Sequence, residues 1–182
     1  MNPPFFRDRT DAGQQLAHKL YAYANRPDTI VLALPRGGVP VGYEVARELG
    51  APLDVFLVRK LGVPGHEELA MGAVATGGVR VVNDEVVRSL HIPEYVIDAV
   101  TAWERQELAR RERLYRDDRH EPYVSGHTVI LVDDGLATGA TMLAAVKALR
   151  QQHPTQIVVA VPIASPETCR EMKVQPTLWC VP

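Results

Sequence analysis

The sequence predicts an open α/β fold, in which a parallel sheet carries helices on both faces. Four short apolar runs and a weaker fifth are continuously hydrophobic and too short for helices, a pattern typical of strands buried on both faces. Segments with helical periodicity separate these runs. Strands that alternate with helices favour right-handed crossovers, and therefore a parallel sheet.

The same patterns give the order of the elements. We expect strands at residues 29–34, 53–58, 127–132, 156–161 and, more weakly, 177–181. We expect helices at residues 11–24, 40–49, 93–119 and 140–151. No linker or repeat interrupts them, and 182 residues suffice to bury a core without disulfides, so we expect a single domain over residues 1–182.

Residues 59–84 break the alternation of strands and helices. The segment is rich in glycine, yet it contains two short strand-like pieces at residues 71–75 and 79–82. Long excursions in compact domains tend to be functional lids or disordered segments. We therefore expect a flexible hairpin that leaves the main sheet.

Composition excludes several classes of protein. A net charge of −2 argues against nucleic-acid binding, which needs a basic surface, but leaves small anionic ligands open. No apolar run is long enough for a membrane span, and residues 1–16 have no apolar core typical of a leader sequence. Cys169 and Cys180 lack metal or redox spacing, and two buried thiols suit a reducing compartment. We expect a cytoplasmic protein.

The stretch at residues 129–142, VILVDDGLATGATM, carries the strongest functional signal. An apolar strand runs directly into two carboxylates, Asp133 and Asp134, and a loop of small residues and a helix follow. Ligands bind at the carboxyl ends of strands in an open parallel sheet. The backbone N–H groups of such a loop can approach an anion closely, and the helix start adds partial positive charge. A phosphate monoester fits this cradle.

The two aspartates need a separate reason, since carboxylates repel phosphate. Hydrogen bonds to ribose hydroxyls, with Mg²⁺ bridging nearby oxygens directly or through water, resolve the conflict. The motif therefore predicts a ribose with a 5′-phosphate, and Asp133 and Asp134 as the candidate magnesium ligands. A helix N-cap with a tight turn explains one acid and one glycine, but not both acids, two glycines and two threonines together.

This stretch resembles the phosphoribosyl diphosphate (PRPP) binding motif of type I phosphoribosyltransferases, most closely the adenine phosphoribosyltransferase form. The resemblance implies a Rossmann-like core of about five parallel strands with a small hood, built partly from residues 1–28. It implies that the two aspartates engage the ribose hydroxyls. The residues that it places around the 5′-phosphate are Gly135, Leu136, Ala137, Thr138, Gly139, Ala140 and Thr141. Enzymes for 6-oxopurines usually carry an acid at the position of Ala137, so hypoxanthine and guanine are less expected as acceptors.

Residues 33–38, ALPRGG, follow the first strand and resemble the pyrophosphate loop of the same family. The resemblance implies pyrophosphate binding by Pro35, Arg36, Gly37 and Gly38. It also places a cis peptide bond that does not precede a proline between Pro35 and Arg36. Taken without the family, the same residues form a turn with an exposed arginine.

Residues 58–65, VRKLGVPG, resemble the start of the catalytic flexible loop of the family, which we place over residues 59–84. Arg59 and Lys60 would neutralise the departing pyrophosphate, while closure of the loop excludes water from the reacting centre. Taken alone, two basic residues at a strand end are usually an exposed cap.

We therefore expect a Mg²⁺-dependent enzyme that moves the 5-phosphoribosyl group from PRPP to a nitrogenous base or related nucleophile and releases pyrophosphate. The candidate catalytic residues are Asp133, Asp134, Arg59 and Lys60. PRPP and a small-molecule acceptor are the expected partners, and the family suggests a homodimer. The alternatives are a non-catalytic PRPP sensor on the same fold, and hydrolysis or transfer on another phosphosugar.

The identity of the acceptor stays open at this stage. Members of the family usually continue beyond the last strand into a hood element that contacts the base, whereas this chain ends at Pro182. We expect that either the N-terminal segment supplies the whole hood or the part that selects the acceptor is shortened.

Overall fold

The fold is described from a computed structural model over residues 6–117, 119–137, 139–165, 167, 168 and 170. The chain forms two compact units. The first unit comprises residues up to 55, 123–139 and those from 152 onwards, and the second comprises residues 56–122 and 140–151. The single domain over residues 1–182 stays a prediction.

The elements follow the predicted alternation, with one inserted antiparallel sheet. In chain order they are α1 (Arg9–Lys19), a 3₁₀ turn (Tyr21–Tyr23), β1 (Thr29–Ala33), α2 (Gly38–Leu49), β2 (Leu53–Val55), β3 (Val58–Val63), β4 (His66–Ala75), β5 (Val79–Val82), α3 (Asp84–Ser89), α4 (Glu94–Arg116), β6 (Thr128–Val132), α5 (Ala140–Arg150) and β7 (Gln156–Ala160).

The first unit is built on a parallel sheet with the strand order β2-β1-β6-β7. Every residue of β1 and β6 is buried, as expected for strands covered on both faces. The predicted parallel α/β sheet is therefore confirmed, with four strands among the described residues. The fifth predicted strand, at residues 177–181, lies outside them, as do Cys169 and Cys180.

Helices α1 and α2 form a layer over one face of this sheet. Leu16 and Leu20 bury their side chains with Val41, Val45 and residues of the strands in one apolar core. Helix α2 ends at Leu49, and the cap residue Gly50 has a φ of 63°, the left-handed conformation that closes many helices. This packing fixes the start of α2 over the carboxyl ends of β1 and β6, where the candidate site lies.

The second unit contains the antiparallel sheet β3-β4-β5 together with α3, α4 and α5. The segment predicted as a flexible hairpin therefore forms three paired strands, with a bulge in β3 between Leu61 and Val63. Its mobility stays a prediction. Among the described residues, no helix combines the length and apolar character needed to cross a bilayer.

One predicted strand is wrong in its extent. The apolar run at residues 53–58 divides between two sheets, because β2 ends at Val55 and Val58 begins β3. Leu57, in the connection from Val55 to Val58, is buried. Its N–H donates to the Thr76 hydroxyl over 3.0 Å, and its carbonyl accepts from the Thr76 N–H over 2.9 Å. Burial keeps the connection apolar, so hydrophobicity alone does not reveal the break.

Candidate active site

The two predicted ribose-binding acids lie at the carboxyl end of β6. Asp133 and Asp134 follow the last residue of the strand, and the loop after the neighbouring β1 lies beside them. The Leu34 N–H donates to the Val132 carbonyl over 2.8 Å and so ties the two loops together. The predicted pyrophosphate loop and the predicted acid pair therefore meet at one edge of the sheet.

Gly37 and Gly38 allow this close approach because they lack side chains. A β-carbon on Gly37 would overlap the carboxylate of Asp134, and one on Gly38 would lie 2.7 Å from the Val132 carbonyl oxygen and 2.9 Å from the Asp133 Cα. The two predicted binding loops are thus in direct contact. The sequence motifs alone did not indicate that the glycines serve to accommodate the acids.

The rest of the predicted pyrophosphate loop has the expected local structure. The peptide bond between Pro35 and Arg36 is cis, at the position that the family resemblance implies. Arg36 is exposed, and within the described part of the chain its guanidinium group makes no hydrogen bond or ion pair. Its positive charge is therefore available to an anion.

The loop of small residues after Asp134 is held in place by hydrogen bonds to residues 163 and 168. Leu136 donates its N–H to the Ile163 carbonyl over 2.9 Å, and the Thr168 hydroxyl donates to the Ala137 carbonyl over 2.7 Å. The N–H groups of Gly135 and Ala137 have no acceptor among the described residues. These donors remain available to an anion, as the predicted phosphate cradle requires. Thr138 lies outside the described residues, and Gly139 has a φ of 70°.

Within the second unit, the start of α5 lies close to β3 and β4. Lys60, Ala140 and Thr141 line one small cavity of ≈ 90 Å³, whose other walls are mostly small apolar residues. Lys60 is about half-exposed, and its amino group lies 3.3 Å from the Glu68 carbonyl and 3.9 Å from the Glu68 carboxylate. A predicted catalytic cation and two predicted phosphate-loop residues are therefore brought together.

Arg59 has a different environment from its neighbour Lys60. Its Nε donates to Glu104 of α4 over 2.7 Å, and the two side chains are only 27% and 15% exposed. An ion pair sheltered to this degree holds the guanidinium group in place. Sequence reasoning assigned both basic residues to pyrophosphate, but only Lys60 lines the cavity beside Thr141.

The acid pair is electrostatically unusual. Burial raises the pKa of Asp133 to about 6, and the negative charge of Asp134 acts in the same direction, against a hydrogen bond from the Asp134 N–H that lowers the pKa. That N–H donates to Asp133 Oδ1 over 2.8 Å. A carboxyl group kept in an unfavourable ionised state at neutral pH is typical of a functional position.

This pKa shift predicts a gain in stability when Asp133 is replaced by Asn. In the ligand-free protein the unfolded chain loses this proton near the ordinary pKa of 3.8 and the folded chain near 6, so the free energy of unfolding falls as pH rises between them. We expect Asp133→Asn to gain about 1 kcal/mol at pH 8, allowing for solvent screening, and no gain at pH 4. Urea denaturation of both proteins at both pH values measures this. A loss of stability at pH 8 would contradict the assignment.

Sequence reasoning missed one charged residue at the site, Arg9 in the first turn of α1. Its Nε and Nη2 both donate to Asp134 Oδ2, at 3.0 and 2.7 Å. The two residues are 125 positions apart, and no motif contains Arg9, so no local signal could have found it. Beside this pair lies an open cavity of ≈ 280 Å³, lined by Phe6, Asp8, Arg9, Ala12, Val41, Asp134, Pro162 and Ile163.

The acid pair also suits the predicted metal. Mg²⁺ binds hard oxygen ligands and is usually held by one or two carboxylates, with substrate phosphates and water completing its shell. The residues that the structure describes contain no cluster of three or more metal-binding side chains. Asp133 and Asp134 therefore match a magnesium ion that is shared with a substrate rather than enclosed by the protein.

Comparisons with known proteins agree with this geometry. The family model described as "Phosphoribosyl transferase domain" matches residues 7–176. A protein of Mycobacterium tuberculosis (strain H37Rv) named "Putative phosphoribosyl transferase Rv0571c" is 49% identical over 158 residues, which are 87% of this chain and 35% of that protein. A protein of strain CDC 1551 gives the same values. The chain therefore spans about a third of the length of these curated relatives.

Solved structures give the same result for the fold. The crystal structure of TT1426 from Thermus thermophilus is 44% identical, with a TM-score of 0.85, and the match covers 97% of this chain and 85% of that one. A purine phosphoribosyltransferase from Pyrococcus horikoshii Ot3 shares the fold at 21% identity, with a TM-score of 0.53 and coverage of 95% and 86%. With the family model matching nearly the whole chain, these likenesses show that the protein belongs to the phosphoribosyl transferase domain family.

Proposed function

We propose that the protein transfers the 5-phosphoribosyl group of PRPP to a nitrogenous base or related nucleophile, releases pyrophosphate and inverts the anomeric carbon. The observation that carries the proposal is the direct contact between Gly37 of the pyrophosphate loop and Asp134 of the acid pair. PRPP has a pyrophosphate on the carbon next to its ribose hydroxyls, so its site must bring donors for pyrophosphate and acceptors for hydroxyls side by side.

Each group of residues at the carboxyl end of the parallel sheet has a role in this reaction. Asp133 and Asp134 accept hydrogen bonds from the ribose hydroxyls and stabilise the positive charge that develops on the sugar as the pyrophosphate departs. The N–H groups of Gly135 and Ala137 bind the 5′-phosphate and fix the position of the ribose. Arg36 attracts the pyrophosphate. Asp133 and Asp134 would hold Mg²⁺ directly or through water, and the bound ion would supply positive charge to the pyrophosphate oxygens.

Replacing Arg59 is expected to lower folding stability, whereas replacing Lys60 is expected to slow pyrophosphate release. Arg59→Met leaves the sheltered Glu104 without its partner, so we expect a loss of about 1–3 kcal/mol in the free energy of unfolding. Lys60→Met keeps the alkyl chain and should change stability by less than about 0.5 kcal/mol. It should slow pyrophosphate release by about tenfold or more, because the proposed role of Lys60 is to neutralise the departing pyrophosphate.

Urea denaturation and initial rates of both variants measure this difference. The double variant Arg59→Met/Glu104→Leu is the control, and it should recover part of the stability that Arg59→Met loses. If Arg59→Met were as stable as the wild type and released pyrophosphate as slowly as Lys60→Met, both residues would be assigned to pyrophosphate binding.

The cavity beside Asp134 is the proposed site of the acceptor. Its walls are largely apolar, with Phe6 and Ile163 among them, and a flat heterocycle can pack against such surfaces. Its charged groups are Asp8, Arg9 and Asp134, which sum to one negative charge and repel an acidic acceptor. We propose an uncharged base.

The direct experiment is an assay of pyrophosphate release with PRPP, Mg²⁺ and a panel of bases. We expect release only when an uncharged base is present, and little with heterocycles that carry a carboxylate. Release with carboxylated bases alone would overturn the proposed acceptor class. We further propose a cytoplasmic homodimer on the strength of the family, and sedimentation equilibrium tests the dimer.

A sensor that binds PRPP without turnover is the second candidate, and it would retain the acid pair and the phosphate loop. Lys60 lies beside Thr141 of the predicted 5′-phosphate loop, where a cation can serve binding in either candidate, so turnover decides between them. Tight PRPP binding by calorimetry without turnover of any base would instead favour the sensor.

A further inference from the structure

We propose that Arg9 is a positioning residue for Asp134, an inference that rests on the proposed function. Both N–H groups that Arg9 directs at Asp134 reach the same oxygen, Oδ2. No N–H group of a described residue donates to Oδ1. The arrangement therefore anchors the carboxylate by one oxygen and leaves the other for a hydroxyl of the sugar.

The carboxylate is confined on a second side by the backbone. Gly37 lies so close to Asp134 that a methyl group could not be inserted between them. A carboxylate held between a guanidinium group and a glycine cannot rotate freely about its side-chain bonds. Its orientation is fixed before any substrate arrives, which lowers the entropy lost on binding.

Arg9 is itself placed by a well-packed helix. Asp8 caps α1 by accepting the Asp11 N–H over 2.8 Å, so the first turn that carries Arg9 is defined. Helix α1 lies against α2 at Gly13, where a β-carbon would lie 2.7 Å from the Glu44 Cβ. Helix α2 begins directly after Gly37. The same pair of helices therefore supports both sides of the Asp134 carboxylate.

A purely structural role explains this pair less well. Arg9 is 59% exposed and Asp134 33% exposed, and ion pairs with such access to water contribute little to folding. Arg7 offers an internal comparison, since it is also exposed, precedes α1 and pairs with Asp11 of that helix rather than with the acid pair. If the pair between Arg9 and Asp134 only stabilised the fold, removing Arg9 or Arg7 should have a similarly small effect on PRPP binding.

The test is calorimetric titration of PRPP with Mg²⁺ into the wild-type chain, Arg9→Ala, Arg9→Lys and the control Arg7→Ala. We expect Arg9→Ala to bind PRPP about tenfold more weakly, Arg9→Lys to lie between, and Arg7→Ala to match the wild type. In rate assays at saturating acceptor the KM for PRPP should rise by a similar factor. Millimolar guanidinium chloride should restore binding to Arg9→Ala but not to Asp134→Asn.

The outcomes separate this inference from the proposed function. If the wild type binds PRPP and Arg9→Ala binds it equally well, Arg9 does not position Asp134. Tighter binding by Arg9→Ala would also overturn the inference, because Arg9 would then be a counter-ion that the substrate must displace. If the wild type does not bind PRPP, the proposed function itself fails, and the inference fails with it.

Discussion

Replacing Asp134 by Asn is expected to lower kcat/KM for PRPP by about 100-fold, because a charged hydrogen bond of about 1.5–3 kcal/mol to the ribose is lost together with the charge that stabilises the reacting sugar. The amide has nearly the same shape as the carboxylate, so packing is conserved. Initial rates of pyrophosphate release at varied PRPP concentration measure the effect.

Asp98 provides the matched control for this substitution. It is an exposed acid of the second unit that accepts a 2.6 Å hydrogen bond from Arg80, so Asp98→Asn also removes one partner of a short ion pair. We expect Asp98→Asn to retain wild-type kinetics. Equal kinetics for Asp134→Asn and Asp98→Asn would show that the Asp134 charge is not used.

The second large effect is expected from Gly37→Ala. The added methyl group would occupy the space of the Asp134 carboxylate, so either the acid or the loop must move. Overpacking of this kind costs about 1–3 kcal/mol, which corresponds to roughly 5–150-fold weaker binding if the cost falls on the bound state. Calorimetric titration of PRPP into the variant measures the loss.

Gly42→Ala distinguishes this effect from a general defect of helix α2. Gly42 lies within α2, five residues after Gly37, and a β-carbon there would lie 2.9 Å from the Ala33 Cβ of β1. We expect this variant to lose a similar amount of folding stability but to bind PRPP normally once folded. If Gly37→Ala bound PRPP as tightly as Gly42→Ala, the contact between the two loops would have no functional weight.

Much of the first unit could be predicted because its signals are local. Continuous apolar runs mark β1, β6 and β7, and the acids and small residues that follow β6 mark a ligand loop at the carboxyl edge. The same topology brings the loop after β1 to that edge. The contact between Gly37 and Asp134 depends on β1 and β6 being neighbours in the sheet, and the sequence analysis did not predict that strand order.

The parts that escaped prediction depend on tertiary contacts. The ion pair between Arg59 and Glu104 joins residues 45 positions apart, and no spacing rule connects them. Arg9 is likewise invisible to local pattern, because it acts through the packing of α1 on α2. Residues 53–58 were predicted as one strand because the buried connection between β2 and β3 is as apolar as a strand.

The central claim is that Asp133, Asp134 and the loops around them bind PRPP and direct its ribosyl group to a base. The most direct measurement is ³¹P NMR of PRPP with Mg²⁺ and an acceptor base, in wild type and in Asp134→Asn. We predict one pyrophosphate for each β-N-riboside phosphate formed, no turnover without base, and loss of both products in the variant. Pyrophosphate that forms without base, or persists unchanged in Asp134→Asn, would contradict the claim.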